Sequence, residues 1–252
     1  MTNQPQLSLI IPGLNEEQNI GPMLDDLAQQ PFVSHLGPRF EVVVVDDGST
    51  DRMAEAARAK ASLFAQLRVL RLSPNVGKGN AIRRGIEAST GAVVGFVDGD
   101  NTFALAEIER FYEAIQIGHD VVIGDRRSPD SLFRVPASAI PYIHFRAFVG
   151  ERFNFLVRNL TPLRVLDTQC GFKMFSRQAA QHCFSRILVG GFVFDLEVLL
   201  AAHAADYRIA SLPVRLSYKN PEPTSEVFSM SLGVGRNFVR VLLNHRAGKY
   251  RA

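Results

Sequence analysis

Between Leu7 and Gly124 the chain repeats one unit, a short apolar run followed by a helical stretch. This alternation confines it to folds built around a parallel sheet. The runs Leu7–Ile11, Phe40–Asp46, Val69–Leu72, Ala92–Val97 and Asp120–Gly124 read as strands, with helices over Glu17–Gln29, Met53–Phe64, Gly79–Ala88 and Ala104–Ile117. Val42–Val45 and Ala92–Val97 are apolar on both faces, which a strand can be only where helices cover both sides of its sheet. The fold class is therefore α/β, with a mostly parallel, Rossmann-like central sheet flanked by helices.

After Gly124 the rhythm breaks. Residues 126–141 hold Pro129, Pro136 and Pro141 beside Arg126, Arg127 and Arg134, and read as a long loop, of a length that is usually either functional or disordered. A helix near Ile143–Asn159 follows, then an apolar segment Phe172–Phe175, helices near Gln178–Phe184 and Asp195–Ala205, and a strand Ile209–Leu216. The prolines in Asn220–Thr224 mark a linker, so the chain divides into a domain over residues 1–220 and a linker with a basic amphipathic C-terminal helix over 221–252. In that last segment Arg236, Arg240, Arg246, Lys249 and Arg251 occur without an acid, beside Phe238, Val241, Leu242 and Leu243. The pattern suits a helix lying on an anionic bilayer, and equally one packed on the body or between subunits.

Charge and cysteine content narrow the function classes. A net charge of +3 over 252 residues is too small for a nucleic-acid-binding footprint, so no nucleic-acid partner is expected. Cys170 and Cys183 provide neither a disulfide framework nor paired metal spacing, and both read as small core residues of a chain in a reducing compartment. The start MTNQPQ lacks a basic n-region, and no apolar run approaches a membrane span. The expected location is cytoplasmic, with a peripheral place on the cytoplasmic face of a membrane.

Polar residues gather where strands end, which is where open α/β sheets bind ligands. The clusters are Pro12 to Glu16, Asp46 to Asp51, Asp98-Gly99-Asp100 and Gly124-Asp125-Arg126. A tight turn at Asp98 and Asp100 aims two hard carboxylates at one Mg²⁺ or Mn²⁺, although Asp-Gly-Asp is also an ordinary solvated turn. Asn75-Val76-Gly77-Lys78-Gly79 opens a helix without the P-loop spacing, and Ile82 stands at the third glycine position of the dinucleotide fingerprint. Nucleoside triphosphatase and NAD chemistry are thereby disfavoured, while the amides and Lys78 remain suited to a diphosphate.

These motifs, with Asp167-Thr168-Gln169-Cys170-Gly171-Phe172-Lys173, resemble the GT-A glycosyltransferases of family 2, and within them the dolichyl- or polyprenyl-phosphate sugar synthases. The resemblance covers about residues 7–220 and implies a nucleotide-diphosphate sugar as donor. Pro12, Asn15 and Glu16 would line the nucleoside pocket, with Asp46 toward the base and Asp47 toward ribose or diphosphate. Gly77 and Lys78 would approach the diphosphate, Asp98 would contact the donor, and Asp100 would bind Mg²⁺ or Mn²⁺. Leu14 stands where the family has Tyr, and Thr102 where a Gln often assists the metal.

The implied reaction is an inverting hexosyl transfer, from a GDP-mannose or UDP-glucose type of donor, to a polyprenyl or dolichyl phosphate. A phosphate monoester is anionic near neutral pH and needs cations rather than a base; by resemblance those are Arg126, Arg134 and Ser138. A hydroxyl acceptor would instead require a carboxylate base, for which Asp195 and Glu197 are the candidates. A non-catalytic nucleotide-sugar or membrane-surface binding module is the rival from another class, and would bind donor without turnover. Processive polysaccharide synthesis is disfavoured because its Q-x-x-R-W motif needs a tryptophan and the chain has none.

Overall fold

The valine-rich strand is buried along its whole length. In the computed structural model, which describes residues 5–137, 140–191, 193–218 and 224–251, it is an inner strand of a seven-stranded sheet. The first half runs β1 (Leu7–Gly13), α1 (Glu17–Ala28), α2 (Pro31–Leu36), β2 (Phe40–Asp46), α3 (Met53–Arg58), β3 (Leu67–Arg71), α4 (Lys78–Ala88), β4 (Val93–Val97), α5 (Glu107–Gln116) and β5 (Val121–Asp125). The second runs β6 (Leu132–Arg134), α6 (Ile140–Leu160), β7 (Phe172–Ser176), α7 (Arg177–Phe184), α8 (Phe194–Ala204), β8 (Ile209–Pro213), β9 (Arg215–Ser217) and α9 (Thr224–Arg246).

The sheet order is β3-β2-β1-β4-β7-β5-β8. The chain steps outward from β1 through β2 to β3, then returns to lay β4 on the other side of β1. That reversal opens a crevice at the carboxyl ends of β1 and β4. Side chains alternate between two cores. Leu9, Ile11, Val42 and Val44 face α1, α2, α3 and α5, whereas Ile10, Val43 and Val45 face α4, α7, α8 and α9. Each such fully buried aliphatic side chain contributes roughly 1.5–3 kcal/mol of transfer free energy, which fixes the register at every step of two.

The sheet is mostly parallel, as expected. Its antiparallel member is β7, which runs against both β4 and β5, with Phe96 opposite Lys173 and Ile123 also opposite Lys173. A strand buried on both faces carries no sequence signal of its direction. Two other expectations need correction. The stretch after Gly124 is not all loop, because Leu132–Arg134 pairs with β9 as a small second sheet. The strand expected over Ile209–Leu216 divides at Val214 into β8 and β9, which belong to different sheets.

The C-terminal helix is present, and Phe238 and Val241 lie buried in the core facing α4, α7 and α8. Its basic residues Arg236 and Arg240 are exposed together with Val239 and Leu243. One face therefore packs on the body while the other combines cationic and apolar groups. No helix of the described residues is long and apolar enough to cross a membrane.

Candidate active site

The crevice is lined by Lys78, Asp98, Asp100, Thr102, Phe103, Arg126, Gln169, Gly171, Asp195, Leu216 and Tyr218. Its floor is the turn after β4. Gly99 N–H donates to Pro12 O at 3.2 Å and Asp98 N–H donates to Gly171 O at 3.1 Å, so the turn is held from β1 on one side and from the approach to β7 on the other. Gly171 lies against Asp98 so closely that a Cβ there would overlap the carboxylate. Stacking of Phe172 on Phe111, centroids 4.1 Å apart, fixes that approach from the core side.

Lys78 begins α4 and its Nζ lies 2.6 Å from Asp98 Oδ1. Burial alone would lower the ammonium pKa, but the carboxylates of Asp98, Asp195 and Asp100 outweigh it and the net shift is upward. Lys78 is thus held cationic. Asp100 stands exposed at the crevice mouth, accepting from Thr102 N–H at 3.0 Å. The surrounding protein and the nearby Asp98 both push its carboxyl pKa upward. Among the described residues no group of three or more His, Cys, Asp or Glu gathers at one point. Two carboxylates at a strand end nevertheless fit a hard divalent cation that takes its remaining ligands from phosphate oxygens and water.

The loop before α4 is held by Asp47, whose Oδ1 accepts from Val76 N–H at 2.9 Å and Oδ2 from Gly77 N–H at 3.0 Å. Burial raises the pKa of this carboxyl against the lowering effect of those two amides. Asp46 is fully buried; it accepts from Ser49 N–H at 2.7 Å and faces Arg71 Nε at 3.4 Å. Asn15 joins the ends of β1 and β2. Its N–H donates to Ser49 Oγ, and its Oδ1 accepts from Thr50 N–H at 2.8 Å. Glu16 accepts from Asn19 Nδ2 at 2.6 Å. Pro12, Asn15, Asp46 and Asp47 therefore shape the walls beside the crevice, and Gly77 belongs to the loop they hold.

The opposite wall departs from expectation. Arg126 lines the crevice, but its guanidinium is bidentate to Asp167, Nε to Oδ2 at 2.6 Å and Nη2 to Oδ1 at 2.9 Å. Burial would raise the pKa of Asp167, and the adjacent Arg126 overcomes that and lowers it. Arg126 is thus not an uncommitted phosphate-binding cation. Asp195 also lines the crevice, and its carboxylate is paired with the buried ammonium of Lys173. Glu197 does not reach the crevice at all. Its carboxylate accepts from the amides of Leu188, Val189 and Gly190 and from the Tyr250 hydroxyl. Arg134 is exposed on β6, opposite Ser217 and one pair along the ladder from Phe133 and the crevice-lining Leu216. Ser138 falls outside the described residues.

Residues 8–184 match the family described as glycosyl transferase family 2. The chain belongs to glycosyl transferase family 2. It is a glycosyltransferase, and its relatives agree: it is 29% identical over 262 residues to the dolichyl-phosphate beta-glucosyltransferase of Homo sapiens, covering 98% of this chain and 78% of that one. It is 28% identical over 263 residues to the protein of the same description in Saccharomyces cerevisiae, covering 97% and 76%. A glucosyl-3-phosphoglycerate synthase structure from Mycobacterium tuberculosis in complex with UDP superposes with a TM-score of 0.69 at 20% identity, covering 96% of this chain and 80% of that one. That likeness bears on the fold alone.

Within this family 2 fold the sequence left Asp167, Lys173, Leu216 and Tyr218 without roles. The Asp167-to-Lys173 string stands out as a motif, which was the available signal for the first two. Leu216 and Tyr218 belong to an edge with no such mark; the pairing of β9 with β6 and a bridge from Leu216 to Phe103 bring them to the crevice.

Proposed function

We propose that this glycosyltransferase moves glucose from UDP-glucose to a dolichyl or polyprenyl phosphate with inversion. The observation that carries this reading is that the two inner carboxylates of the crevice, Asp98 and Asp195, are each paired with a lysine. A hydroxyl acceptor needs a free base; a phosphate monoester arrives already ionised. The description of its relatives as dolichyl-phosphate beta-glucosyltransferases supports the same donor and acceptor.

In the reaction an acceptor phosphate oxygen attacks the anomeric carbon in line. The new carbon–oxygen bond forms as the bond to the diphosphate breaks, and UDP leaves with the electron pair. Lys78, at the start of α4, faces the diphosphate side and stabilises its growing charge. Asp98 and Asp100 would hold Mg²⁺ or Mn²⁺, which supplies further neutralisation of the diphosphate. Arg134, exposed beside the crevice, meets the acceptor phosphate. The exposed apolar residues Leu132 and Phe133 on β6 and Phe148, Val149, Phe155 and Leu156 on α6 give the isoprenoid and a membrane surface something to rest on. Asn154 on α6 accepts from the Thr168 hydroxyl at 3.2 Å, tying that helix to the Asp167–Lys173 wall.

The test is a donor panel of UDP-glucose, GDP-mannose and UDP-GlcNAc with a short polyprenyl phosphate and Mn²⁺, read as glycolipid formed. UDP-glucose is expected to give glucolipid above the other donors. Hydrolysis of donor without glycolipid would favour a hydroxyl acceptor, and binding without turnover would favour a non-catalytic module.

A further inference from the structure

Glu197 is a buried carboxylate that the sugar-transfer chemistry does not use, and it sits two residues from Asp195 on α8. Besides the three amides of the 188–190 loop, it accepts from the Tyr250 hydroxyl at 2.7 Å. Tyr250 itself is almost fully buried although it lies within three residues of the end of the chain. Burial, followed by the hydrogen bond to Glu197, pushes its phenol pKa upward, so the donor hydrogen stays in place.

The loop held by Glu197 leads directly to the donor side of the crevice. Gly190 O accepts from Gly79 N–H at 3.2 Å. A Cβ on Gly77, whose φ is +86°, would stand 3.2 Å from the same oxygen. These contacts bracket Lys78, the residue that opens α4 and pairs with Asp98. We infer that Tyr250 and Glu197 are positioning residues, which lock the 188–190 loop against the start of α4 and so hold Lys78 over the donor diphosphate. Because Tyr250 follows α9, the relay couples the seating of the C-terminal helix to the donor site. Its effect on catalysis rests on the donor assignment proposed above; its structural part does not.

The test uses the full chain with Tyr250→Phe, which keeps the ring and removes only the hydroxyl, and Glu197→Gln as a second variant that keeps the shape of the side chain. Amide hydrogen exchange is followed without ligand. Both variants should exchange about tenfold faster in residues 188–191 and 77–80, with β1 and β2 unchanged, since loss of one buried hydrogen bond is about a factor of ten in a local equilibrium. Faster exchange at 188–191 alone, no change at either segment, or an even rise that includes β1 and β2 would overturn the relay. In kinetics, KM for UDP-glucose should rise several-fold while KM for polyprenyl phosphate stays put. Equal rises in both, or a fall in kcat alone, would overturn the catalytic part. Coupled loosening of the two segments in a protein that makes no glucolipid would support the relay and count against the donor assignment.

Discussion

The two sides of the crevice are built by different means. From β3 to β4, each wall residue follows a parallel strand or opens the next helix, and its partners lie in neighbouring strand-end loops: Asp47 with residues 76 and 77, Asn15 with Ser49 and Thr50. From β5 onward, the wall residues are held by ion pairs between side chains. The Arg126 guanidinium is bidentate to Asp167, and the Lys173 ammonium meets Asp195. The parallel half presents polar groups because strands end there, and loop amides hold them. The other half holds its wall by matched buried charges, so its geometry depends on charge as well as on packing.

The largest effect is expected at the turn after β4. Asp100→Asn removes a ligand charge from an exposed position while keeping its shape, and should lower turnover by about two to three orders of magnitude with little change in thermal stability. Chelation by EDTA should act similarly on the wild type. Full activity of the variant in chelator would reduce Asp98-Gly99-Asp100 to a structural turn.

That half of the site was legible because its signals are local. The apolar runs mark the strands, and Pro12, Asn15, Asp46, Asp47, Asp98 and Asp100 stand where those runs end. The other half was not. Nothing in the sequence around Glu197 distinguishes a catalytic carboxylate from one saturated by backbone amides, because its partners are a loop and Tyr250, 53 residues away. Nor does Arg126 announce that its charge is already matched by Asp167. The direction of β7 was hidden for a related reason, since burial on both faces erases alternation.

A second test strikes the Arg126–Asp167 ion pair. Asp167→Ala leaves the Arg126 guanidinium without its carboxylate in a largely buried setting, at a cost of about 3 kcal/mol in unfolding free energy, measurable by urea denaturation. Asp47→Ala, on the parallel side, should cost less, because it gives up only hydrogen bonds to two loop amides. Comparable losses at both positions would remove the distinction.

The third, smaller effect is in pH. The folded pKa of Asp167 is lowered by Arg126, below the ordinary aspartate value of about 3.9. The stabilisation it brings is therefore complete above about pH 4 and is lost as pH falls through the folded value. The stability gap between wild type and Asp167→Asn should be constant from pH 5 to 7 and shrink below pH 4. A gap that stays constant below pH 4 would contradict the pairing.

If the parallel half holds the donor and the half from β5 onward the acceptor, steady-state KM values for both substrates, measured on Asp47→Asn and Arg134→Ala, will separate the two. Asp47→Asn should raise KM for UDP-glucose about tenfold, by loosening the 76–77 loop, and leave polyprenyl phosphate unchanged. Arg134→Ala should do the reverse by roughly one to two factors of ten, the worth of a charge-assisted phosphate contact, and Arg134→Lys should recover only part of it. Equal rises in both constants for either variant would contradict the division.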